Sequence, residues 1–443
     1  MGTNVLIIGS GAREHAIGMA LSQSPGCGNL HFLPGNAGTA EIGKNDHRGI
    51  QLIPGDYCRI VNVYHDKIDM IIVGSEQALV DSLGDYCAQY LPHVKFIGPN
   101  KNAAQIEGSK AWAKEFMVRH KIPTAPYEIF DNFDSALSHI AQSPEKKFVV
   151  KADGLAEGKG VIICNNKQEA STALTICMKE YKFKKAGEKV VIEEFLEGIE
   201  LSVVVATDGR DFKILPTAKD HKRQLDNDEG PNTGGMGAVS PAPVATHEFM
   251  KKVEETIIKP TIKGLRDENR PFKGFLYFGL MSVKDEPFVI EYNCRLGDPE
   301  TEVQLMRFES DFLKLCHSIS KGNTKRNGVP MLKNYKMKMK YRFSACVVLA
   351  SKGYPGAYEK GKVITFNKDL LQDNHRVYFA GITKDKDGNL ITSGGRVAMV
   401  CAGSNISQED AVNSVYDLID NNVLTFEGMQ CRTDIGDIIT KMA

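Results

Sequence analysis

A carboxylate, an amide and a guanidinium alternate along a short apolar stretch near residue 290. Glu291 and Asn293 lie two residues apart on a predicted strand, so both side chains project to one face. Two oxygen ligands on one face suit Mg²⁺, which shares its coordination shell with phosphates and water. Arg295 continues on that face, where its fork can hold a carboxylate or phosphate, and Asp298 in the following loop can reach the same ligand. A surface cluster of salt bridges is the alternative interpretation.

A lysine followed by a glycine-rich loop suggests a triphosphate site at residues 151–161. Lys151 ends a predicted strand, and Gly158, Lys159 and Gly160 follow in the loop. Lysine suits a point contact to phosphates, and the glycines let the loop fold over a nucleotide and exclude water. The stretch is not a Walker A motif, because Gly160 rather than serine or threonine follows Lys159. A solvated hairpin is the alternative.

The end of the next apolar strand has the features of an adenosine site. Glu193, Glu194, Phe195 and Leu196 end this strand, and Glu200 follows shortly after. Backbone groups at a strand end can pair with an adenine edge, and an acidic side chain nearby suits ribose hydroxyls. An acidic edge strand would have the same composition.

The first strand of the chain runs into a loop that can bind an anion. Gly9, Ser10 and Gly11 allow backbone N–H groups to approach a phosphate at a helix N-terminus, and Arg13 and His15 can donate to the same anion. A dinucleotide fingerprint is not met, since glutamate stands at position 14 where G-x-G-x-x-G needs glycine. A tight strand-to-helix turn is the alternative.

Two further glycine-containing segments can bind anions. Asn36 and Gly38 lie in a turn that can form a second N–H nest for the same phosphate. Asp220, Lys222 and Arg223 belong to a charged run that precedes a glycine-rich loop, as in an anion-binding active-site loop. An ordinary turn and a solvated charged face are the respective alternatives.

The elements around these residues predict three regions. Strands alternating with helical stretches indicate a parallel α/β domain over residues 1–105. Residues 106–325 read as mixed strands and helices, with a flap subdomain at about 124–192, and residues 336–443 form a small α+β domain. The site-bearing elements are predicted strands at 148–151, 190–196, 202–205 and 288–292, a helix at 109–120 and, near the end, strands at 341–349, 363–366 and 396–401 with a helix at 410–420.

Composition limits the possible functions. The 443 residues are 42% hydrophobic with a formal net charge of +0, so no global field favours nucleic acid or an anionic membrane. No run approaches the roughly 18 apolar residues of a membrane span, and the start lacks the features of a signal peptide. The 10 cysteines are scattered without a C-x-x-C pair, which disfavours disulfides or structural zinc. We expect a cytoplasmic monomer.

Four motifs together carry a family resemblance: K-A-D-G-L-A-x-G-K-G-V from residue 151, D-H-K-R from 220, N-T-G-G-M-G from 232 and R-x-G-D-P-E-T from 295. In this order they are similar to the glycinamide ribonucleotide synthetase family of ATP-grasp ligases, which serves de novo purine synthesis. The resemblance covers nearly the whole chain. It departs at residues 74–80, where family members often read G-P-E-A-P-L-V, at Leu296, often Phe, and at Phe278, often Ala.

The resemblance implies an ATP-grasp fold with an N-terminal parallel α/β domain and a small C-terminal α+β domain. It implies ATP, Mg²⁺ or Mn²⁺, glycine and 5-phosphoribosylamine as ligands, and a monofunctional enzyme. By motif position, the implied residues are Lys110, Lys151, Glu193, Leu196 and Glu200 for ATP, Glu291 and Asn293 for metal, Asp220, Arg295 and Asp298 for substrate, and Gly11, Asn36, Gly38 and Glu76 for phosphoribosylamine.

The mechanism implied is carboxylate activation. Glycine would attack the γ-phosphate to give an acyl phosphate, Lys151 and Arg295 would add fixed positive charge, and the amine would then displace phosphate. The general base stays open among Glu76, Asp220 and Asp298. Three alternatives also stay open: an ATP-grasp ligase for bicarbonate or formate, an NAD-linked oxidoreductase built on the first glycine loop, and a catalytically dead nucleotide-binding module.

Overall fold

The computed structural model describes residues 2–46, 48–156, 160–180, 182–321 and 331–437. All ten cysteines, which lie in these ranges, are free thiols. Within the same ranges, no helix combines the length and apolarity needed to cross a bilayer.

The amino-terminal region is a five-stranded parallel sheet with strand order β3-β2-β1-β4-β5. The central strand is an unbroken apolar run because helices cover both sheet faces, and Leu6, Ile7 and Ile8 are fully buried. The carboxyl ends of β1 and β4 meet at one edge, which places Gly9 beside Gly74. The elements are β1 (Thr3–Gly9), α1 (Ala12–Ser22), β2 (Cys27–Pro34), α2 (Thr39–Ile42), β3 (Lys44–Asn45), α3 (Tyr57–Tyr64), β4 (Met70–Val73), α4 (Glu76–Val80), α5 (Leu83–Tyr90), β5 (Lys95–Ile97) and α6 (Lys101–Gly108).

A small antiparallel sheet of order β6-β9-β7-β8 follows, with two helices packed on one face. Phe148, Val150 and Ile192 point into this packed face, so the side chains at alternate positions, Lys151 and Glu193 among them, lie on the other face. The elements are α7 (Lys110–Arg119), β6 (Tyr127–Phe130), α8 (Phe133–Gln142), β7 (Phe148–Ala152), β8 (Val161–Cys164), α9 (Lys167–Leu174) and β9 (Val190–Glu194).

The central region contains a four-stranded antiparallel sheet of order β11-β10-β16-β17. Its register skips Ile290, because Gly279 faces Glu291 while Leu280 faces Val289. Ile290 is therefore the extra residue of a β-bulge. The elements are β10 (Ile199–Thr207), β11 (Phe212–Ile214), β12 (Lys219–Asp220), β13 (Arg223–Leu225), β14 (Glu229–Asn232), β15 (Gly237–Ser240), α10 (His247–Val253), α11 (Lys259–Asp267), β16 (Gly274–Val283), β17 (Glu286–Asn293), α12 (Glu300–Met306) and α13 (Phe312–Lys321).

The last sheet combines strands from two predicted regions. Its order is β12-β15-β18-β23-β20, and β15 pairs antiparallel with β18. The elements of the carboxy-terminal region are β18 (Phe343–Ser351), β19 (Ile364–Phe366), β20 (His375–Phe379), β21 (Ile382–Lys384), β22 (Leu390–Thr392), β23 (Arg396–Ser404), α14 (Gln408–Asp420), β24 (Leu424–Phe426) and β25 (Met429–Gln430). The carboxy-terminal region thus shares its sheet with residues 219–240. The domain bounds at 105, 325 and 336 stay a prediction.

The predicted elements are present with shifted ends. The helix predicted at 109–120 is α7, and the helix predicted at 410–420 begins earlier, at Gln408. The strand predicted at 190–196 ends at Glu194, whereas the strand predicted at 202–205 is only the middle of the longer β10.

Candidate active site

A buried carboxylate joins two lysines on the inner face of the small sheet. Because Val149 faces Glu193 in the β7–β9 register, Lys151 lies diagonally across from Glu193 on the same face. Lys151 Nζ lies 2.7 Å from Glu193 Oε1, and Lys114 Nζ lies 2.8 Å from Glu193 Oε2. No role was predicted for Lys114 from the sequence. The one indication of such a role was its position four residues after Lys110, on the same face of α7.

The β-bulge supplies Lys151 with a second partner. Lys151 Nζ donates to the carbonyl oxygen of Ile290 at 2.8 Å. Ile290 is the extra residue of the bulge, so its backbone is out of register with the β16 ladder. The contact ties the small sheet to the strand that carries Glu291 and Asn293.

Glu291 is a strongly acidic carboxyl group among lysines. Burial works to raise its pKa, but Lys222, Lys151 and Lys110 outweigh burial and lower the pKa of Glu291 to about 2. Lys222 Nζ lies 3.2 Å from Glu291 Oε1 and also pairs with Glu200. Glu291 is thus ionised at neutral pH, as a metal ligand must be.

Gly279 makes room for the Glu291 side chain. A Cβ on Gly279 would lie 2.8 Å from Glu291 Cγ. Any larger residue at this position of β16 would force Glu291 to move.

Glu107 orients the second predicted metal ligand. With the Asn293 amide turned to satisfy its hydrogen bonds, the amide nitrogen donates to Glu107 Oε1 at 2.8 Å. The carbonyl oxygen of Asn293 then points away from Glu107. Glu107 Oε2 accepts from the Cys294 N–H at 2.6 Å, which fixes the carboxylate. Sequence reasoning missed Glu107, and only its position three residues before Lys110 hinted at the site.

The start of α7 is tied to the glycine-rich loop. Lys110 Nζ donates to Gly154 O at 2.7 Å, and the Ala111 N–H donates to Asp153 Oδ1 at 3.0 Å. Burial lowers the pKa of Lys110, against the opposing effect of Glu291. Gly160 is within the described residues, whereas the predicted nucleotide contacts Gly158 and Lys159 lie outside them.

Arg295 faces two carboxylates from the amino-terminal half. Its Nε lies 3.4 Å from Glu76 Oε2, and its Nη2 lies 3.5 Å from Glu107 Oε1. Burial opposes the charge of Arg295, but Glu107 and Glu76 raise its pKa above the usual value. Burial likewise works against ionised Glu76, but Arg295 and Arg13 lower the pKa of Glu76. A fixed cation is thus held where the amino-terminal and central regions of the chain meet.

The first glycine loop differs from the predicted phosphate cradle. The Gly11 N–H donates to Glu14 Oε2 at 2.6 Å, and Arg13 Nε donates to Glu14 Oε1 at 2.7 Å. A Cβ on Gly74 would lie 1.7 Å from Glu14 Oε1, and one on Gly9 would lie 2.5 Å from Glu14 Cδ. In this structure the Gly11 N–H is therefore bound by Glu14, the residue that breaks the dinucleotide fingerprint. Its contact with a phosphate stays a prediction.

The second glycine turn is held by hydrogen bonds of Asn36. The Gly38 N–H donates to Asn36 Oδ1 at 2.8 Å, and its predicted contact with a phosphate stays a prediction. Asn36 Nδ2 donates to Ser10 O at 2.9 Å and to Phe379 O at 2.7 Å. The turn therefore links the first glycine loop to β20 of the carboxy-terminal region.

His15 is uncharged and offers no positive charge to an anion. Its Nδ1 accepts the Phe379 N–H at 3.0 Å. Burial lowers the pKa of His15 to about 4, so the ring is neutral at neutral pH. Nδ1 is therefore an acceptor here, and the prediction that His15 donates to an anion stays a prediction.

Gly235 lies between Asp220 and Pro299, the residue after Asp298. A Cβ on Gly235 would lie 2.8 Å from Asp220 Oδ1 and 2.4 Å from Cδ of Pro299, the neighbour of Asp298. Burial, with the nearby charge of Glu300, raises the pKa of Asp220 well above its usual value. Asp220 Oδ1 is buried without a hydrogen-bond partner among the described residues. Such an atom is a natural acceptor for a ligand's ammonium group.

Three predicted contacts lie towards the surface. Glu194 is exposed and pairs with Lys146 at 2.5 Å. Phe195 lies under Lys147, whose Nζ is 5.0 Å from the ring centroid. Arg223 Nη1 donates to Gly230 O at 2.7 Å across the β13–β14 hairpin. The structure therefore does not bring the Arg223 guanidinium together with Arg295.

Comparisons with known proteins agree with this arrangement. Models of the phosphoribosylglycinamide synthetase N domain, ATP-grasp (A) domain and C domain match residues 3–107, 108–301 and 344–438. A phosphoribosylamine–glycine ligase of Vibrio vulnificus is 44% identical over 98% of this chain and 97% of its own length.

Two solved structures resemble the fold. The phosphoribosylamine–glycine ligase of Thermotoga maritima superposes with a TM-score of 0.81 at 35% identity, covering 98% of this chain and all of its own. A biotin carboxylase domain from Hydrogenobacter thermophilus, in complex with MgADP and bicarbonate, has a TM-score of 0.72 at 17% identity over 97% of this chain and 92% of its own, and so shows the fold alone. The predicted ATP-grasp fold is confirmed, and the chain belongs to the phosphoribosylglycinamide synthetase family.

Proposed function

We propose that this site joins glycine to 5-phosphoribosylamine at the expense of ATP, forming glycinamide ribonucleotide for de novo purine (IMP) synthesis. The observation that carries the proposal is Glu291, an ionised carboxylate beside Asn293 on which the charges of Lys110, Lys151 and Lys222 converge. This is the charge pattern that a metal-bound triphosphate requires. Family membership argues against the oxidoreductase alternative. The intact set of metal and phosphate ligands argues against a dead nucleotide-binding module.

ATP would lie between the small sheet and β17. Lys151 is buried and Lys110 is half-buried, and both can turn from carbonyl oxygens to phosphate oxygens. The adenine edge would pair with the backbone after Glu193, near Leu196, and Glu200 would accept from a ribose hydroxyl. Gly160 and the preceding glycine loop would cover the phosphates.

Glu291 and Asn293 would hold a divalent ion, Mg²⁺ or Mn²⁺. The residues fit such an ion, because Glu291 is ionised and Glu107 takes the nitrogen of the Asn293 amide, which leaves an oxygen for the metal. When bound, the ion would neutralise charge on the β- and γ-phosphates. Lys222 contacts Glu291 in this structure and would keep Glu200 as its partner when the ion binds.

Arg295 and Asp220 would orient glycine. Arg295 can hold the glycine carboxylate near the γ-phosphate, while the unpartnered Asp220 Oδ1 accepts from the glycine ammonium group. A carboxylate oxygen then attacks the γ-phosphorus, ADP leaves, and glycyl phosphate forms. Lys151 and Arg295 stabilise the charge that gathers on the transferred group.

Phosphoribosylamine would enter from the edge formed by Ser10, Gly11, Glu76 and Asp298. Its amine attacks the acyl carbon of glycyl phosphate, and phosphate leaves without a protein nucleophile. Positioning two substrates in line supplies much of the acceleration. Arg13 contacts Glu14 through Nε and Leu296 O through Nη1, and its remaining guanidinium N–H groups would donate to the sugar phosphate.

ADP release tests the proposal. Glycine and phosphoribosylamine are supplied singly and together, with the amine generated in the assay from ribose 5-phosphate and ammonia. ADP should form at a sustained rate only when both are present. Bicarbonate or formate replacing glycine with equal rates would instead support the ATP-grasp ligase for another acid. Positional isotope exchange in ATP with glycine alone reports on glycyl phosphate independently of the second substrate.

A further inference from the structure

We propose that Arg396 and Tyr354, from the carboxy-terminal region, are positioning residues that hold Asp298 and the loop at residues 233–237 for binding of glycine and the amine. This inference rests on the proposed function. It assigns a role in the reaction to a region that the nucleotide and metal assignments do not use.

The Arg396 guanidinium bridges two loops of the site. Its Nη2 lies 2.9 Å from Asp298 Oδ1, and its Nη1 donates to Asp298 O at 3.0 Å. The same Nη1 donates to Gly234 O at 2.5 Å. A single planar group thus fixes both the side chain and the backbone of Asp298 against the glycine-rich loop, which is a use of geometry that lysine cannot reproduce.

Tyr354 makes a further hydrogen bond with the backbone of Gly234. The Gly234 N–H donates to the Tyr354 hydroxyl at 3.0 Å, while the Gly234 carbonyl accepts from Arg396. A Cβ on Gly395 would lie 2.3 Å from Tyr354 Cδ2, so the glycine before Arg396 makes room for the ring. Arg396 and Tyr354 therefore act as one unit, which we call the Arg396 clamp.

One loop held by the Arg396 clamp carries Asp298, and the other lies against Asp220 of β12. Gly235 packs against Asp220 Oδ1 and Pro299, so a shift of the loop would displace Asp220 and Asp298 together. Asp298 Oδ2 also lies 3.3 Å from the Cβ position of Gly11, at the edge proposed for the amine. The ATP-facing lysines Lys110 and Lys151 have different partners. Loss of the clamp should therefore affect glycine and amine binding but spare ATP.

Steady-state kinetics of Arg396→Ala and Tyr354→Phe test the inference. For Arg396→Ala we expect the KM values of glycine and phosphoribosylamine to rise at least tenfold, with the KM of ATP within twofold of wild type. Tyr354→Phe removes one hydroxyl and should raise the same two KM values two- to fivefold. Arg396→Lys should resemble Arg396→Ala, because an ammonium group cannot serve all three oxygens at once.

Arg376→Ala is the matched control. Arg376 lies on β20, next to β23 in the same sheet, and its guanidinium donates to the carbonyl oxygens of Asp373 and His375. It should leave all three KM values unchanged.

A merely structural role for Arg396 would lower kcat in proportion to the folded fraction and leave every KM unchanged, and that result would overturn the inference. A rise in the KM of ATP equal to that of glycine would also overturn it. Failure of the proposed function is distinguishable, since the wild-type protein itself would then release no ADP that depends on both substrates.

Discussion

Glu193 receives Lys151 on one carboxylate oxygen and Lys114 on the other, at 2.7 and 2.8 Å, and all three side chains are buried. Removing the carboxylate would leave two buried cations uncompensated, which is a large destabilisation. Removing Lys151 would still leave the Lys114–Glu193 pair. Lys151 is therefore the residue of this group that can be substituted while the enzyme stays folded, so that the effect on ATP binding can be measured.

Lys151→Met should weaken ATP binding, because it removes a desolvated charge partner of the phosphates. Hydrogen bonds to charged groups contribute about 1.5–3 kcal/mol, which corresponds to a rise in the dissociation constant of roughly one to two decades. Titration of the purified variant with ATP measures this change. Lys189→Met, at an exposed position beside β9, is the control and should bind ATP normally. An unchanged ATP affinity in Lys151→Met would mean that Lys151 serves only the fold.

Glu291→Gln should abolish turnover while the fold persists, because the amide keeps the shape but not the charge of the proposed metal ligand. Titration with Mn²⁺ in the presence of ADP provides a second readout, and its affinity should fall at least tenfold. Glu286→Gln makes the same change at the exposed start of β17, where Glu286 pairs with Lys252, and should affect neither quantity. Turnover within tenfold of wild type at ordinary Mg²⁺ would contradict the metal assignment.

Local sequence patterns predicted the elements and the shared face of Glu291 and Asn293 well. Alternation along a strand was enough to place Glu291 and Asn293 on one face, because that relationship is set by the backbone. Strand pairing was not predictable in the same way. Gly237–Ser240 pairs with residues 344–347, about a hundred positions later, and only tertiary packing selects that partner.

Contacts between side chains that only the fold brings together were not predictable from local patterns. Glycines at positions 9 and 11 suggested space for a phosphate, and the structure places the carboxylate of Glu14 beside both glycines. No role was predicted for Glu107 or Lys114, because their roles depend on contacts with Asn293 and Glu193, which are distant in sequence. Helical spacing from Lys110 was the single local signal for Lys114, whereas Glu107 lies on α6 and had only its nearness to Lys110 in the sequence.

Asp220→Asn should stabilise the protein at high pH while impairing the reaction. Burial and Glu300 raise the pKa of Asp220, so between about pH 4 and that raised pKa the folded protein retains a proton that the unfolded chain releases. The contribution of Asp220 to stability therefore decreases as pH rises through this window. The variant cannot ionise, and its advantage over wild type should grow by up to about 1.4 kcal/mol per pH unit.

Urea unfolding at pH 5, 6, 7 and 8 measures this difference. Asp387→Asn, at an exposed loop position, is the control and should show no difference that grows with pH. A constant gap between Asp220→Asn and wild type across the series would show that Asp220 is already ionised in the fold. The KM of glycine should rise in the same variant, because the amide, unlike the carboxyl group, cannot release a proton to become the anionic partner of a bound ammonium group.

Gly11→Ala should obstruct phosphoribosylamine and leave ATP binding intact. The backbone of Gly11 has φ −82°, a value open to alanine, so the change introduces no backbone strain. The added Cβ would lie 3.0 Å from Glu14 Oε2 and 3.3 Å from Asp298 Oδ2. Both carboxylates must yield slightly, and each faces the edge where the second substrate is proposed to bind.

We expect the half-saturating concentration of phosphoribosylamine to rise at least tenfold, which is about 1.4 kcal/mol. The affinity for ATP should stay within twofold, because Lys110, Lys151 and Glu193 lie on other elements. Gly55→Ala is the matched control, since a Cβ there meets nothing within 4 Å. If Gly11→Ala instead lost ATP affinity and kept normal saturation by phosphoribosylamine, the first glycine loop would bind the nucleotide. The proposed binding places of ATP and phosphoribosylamine would then have to be exchanged.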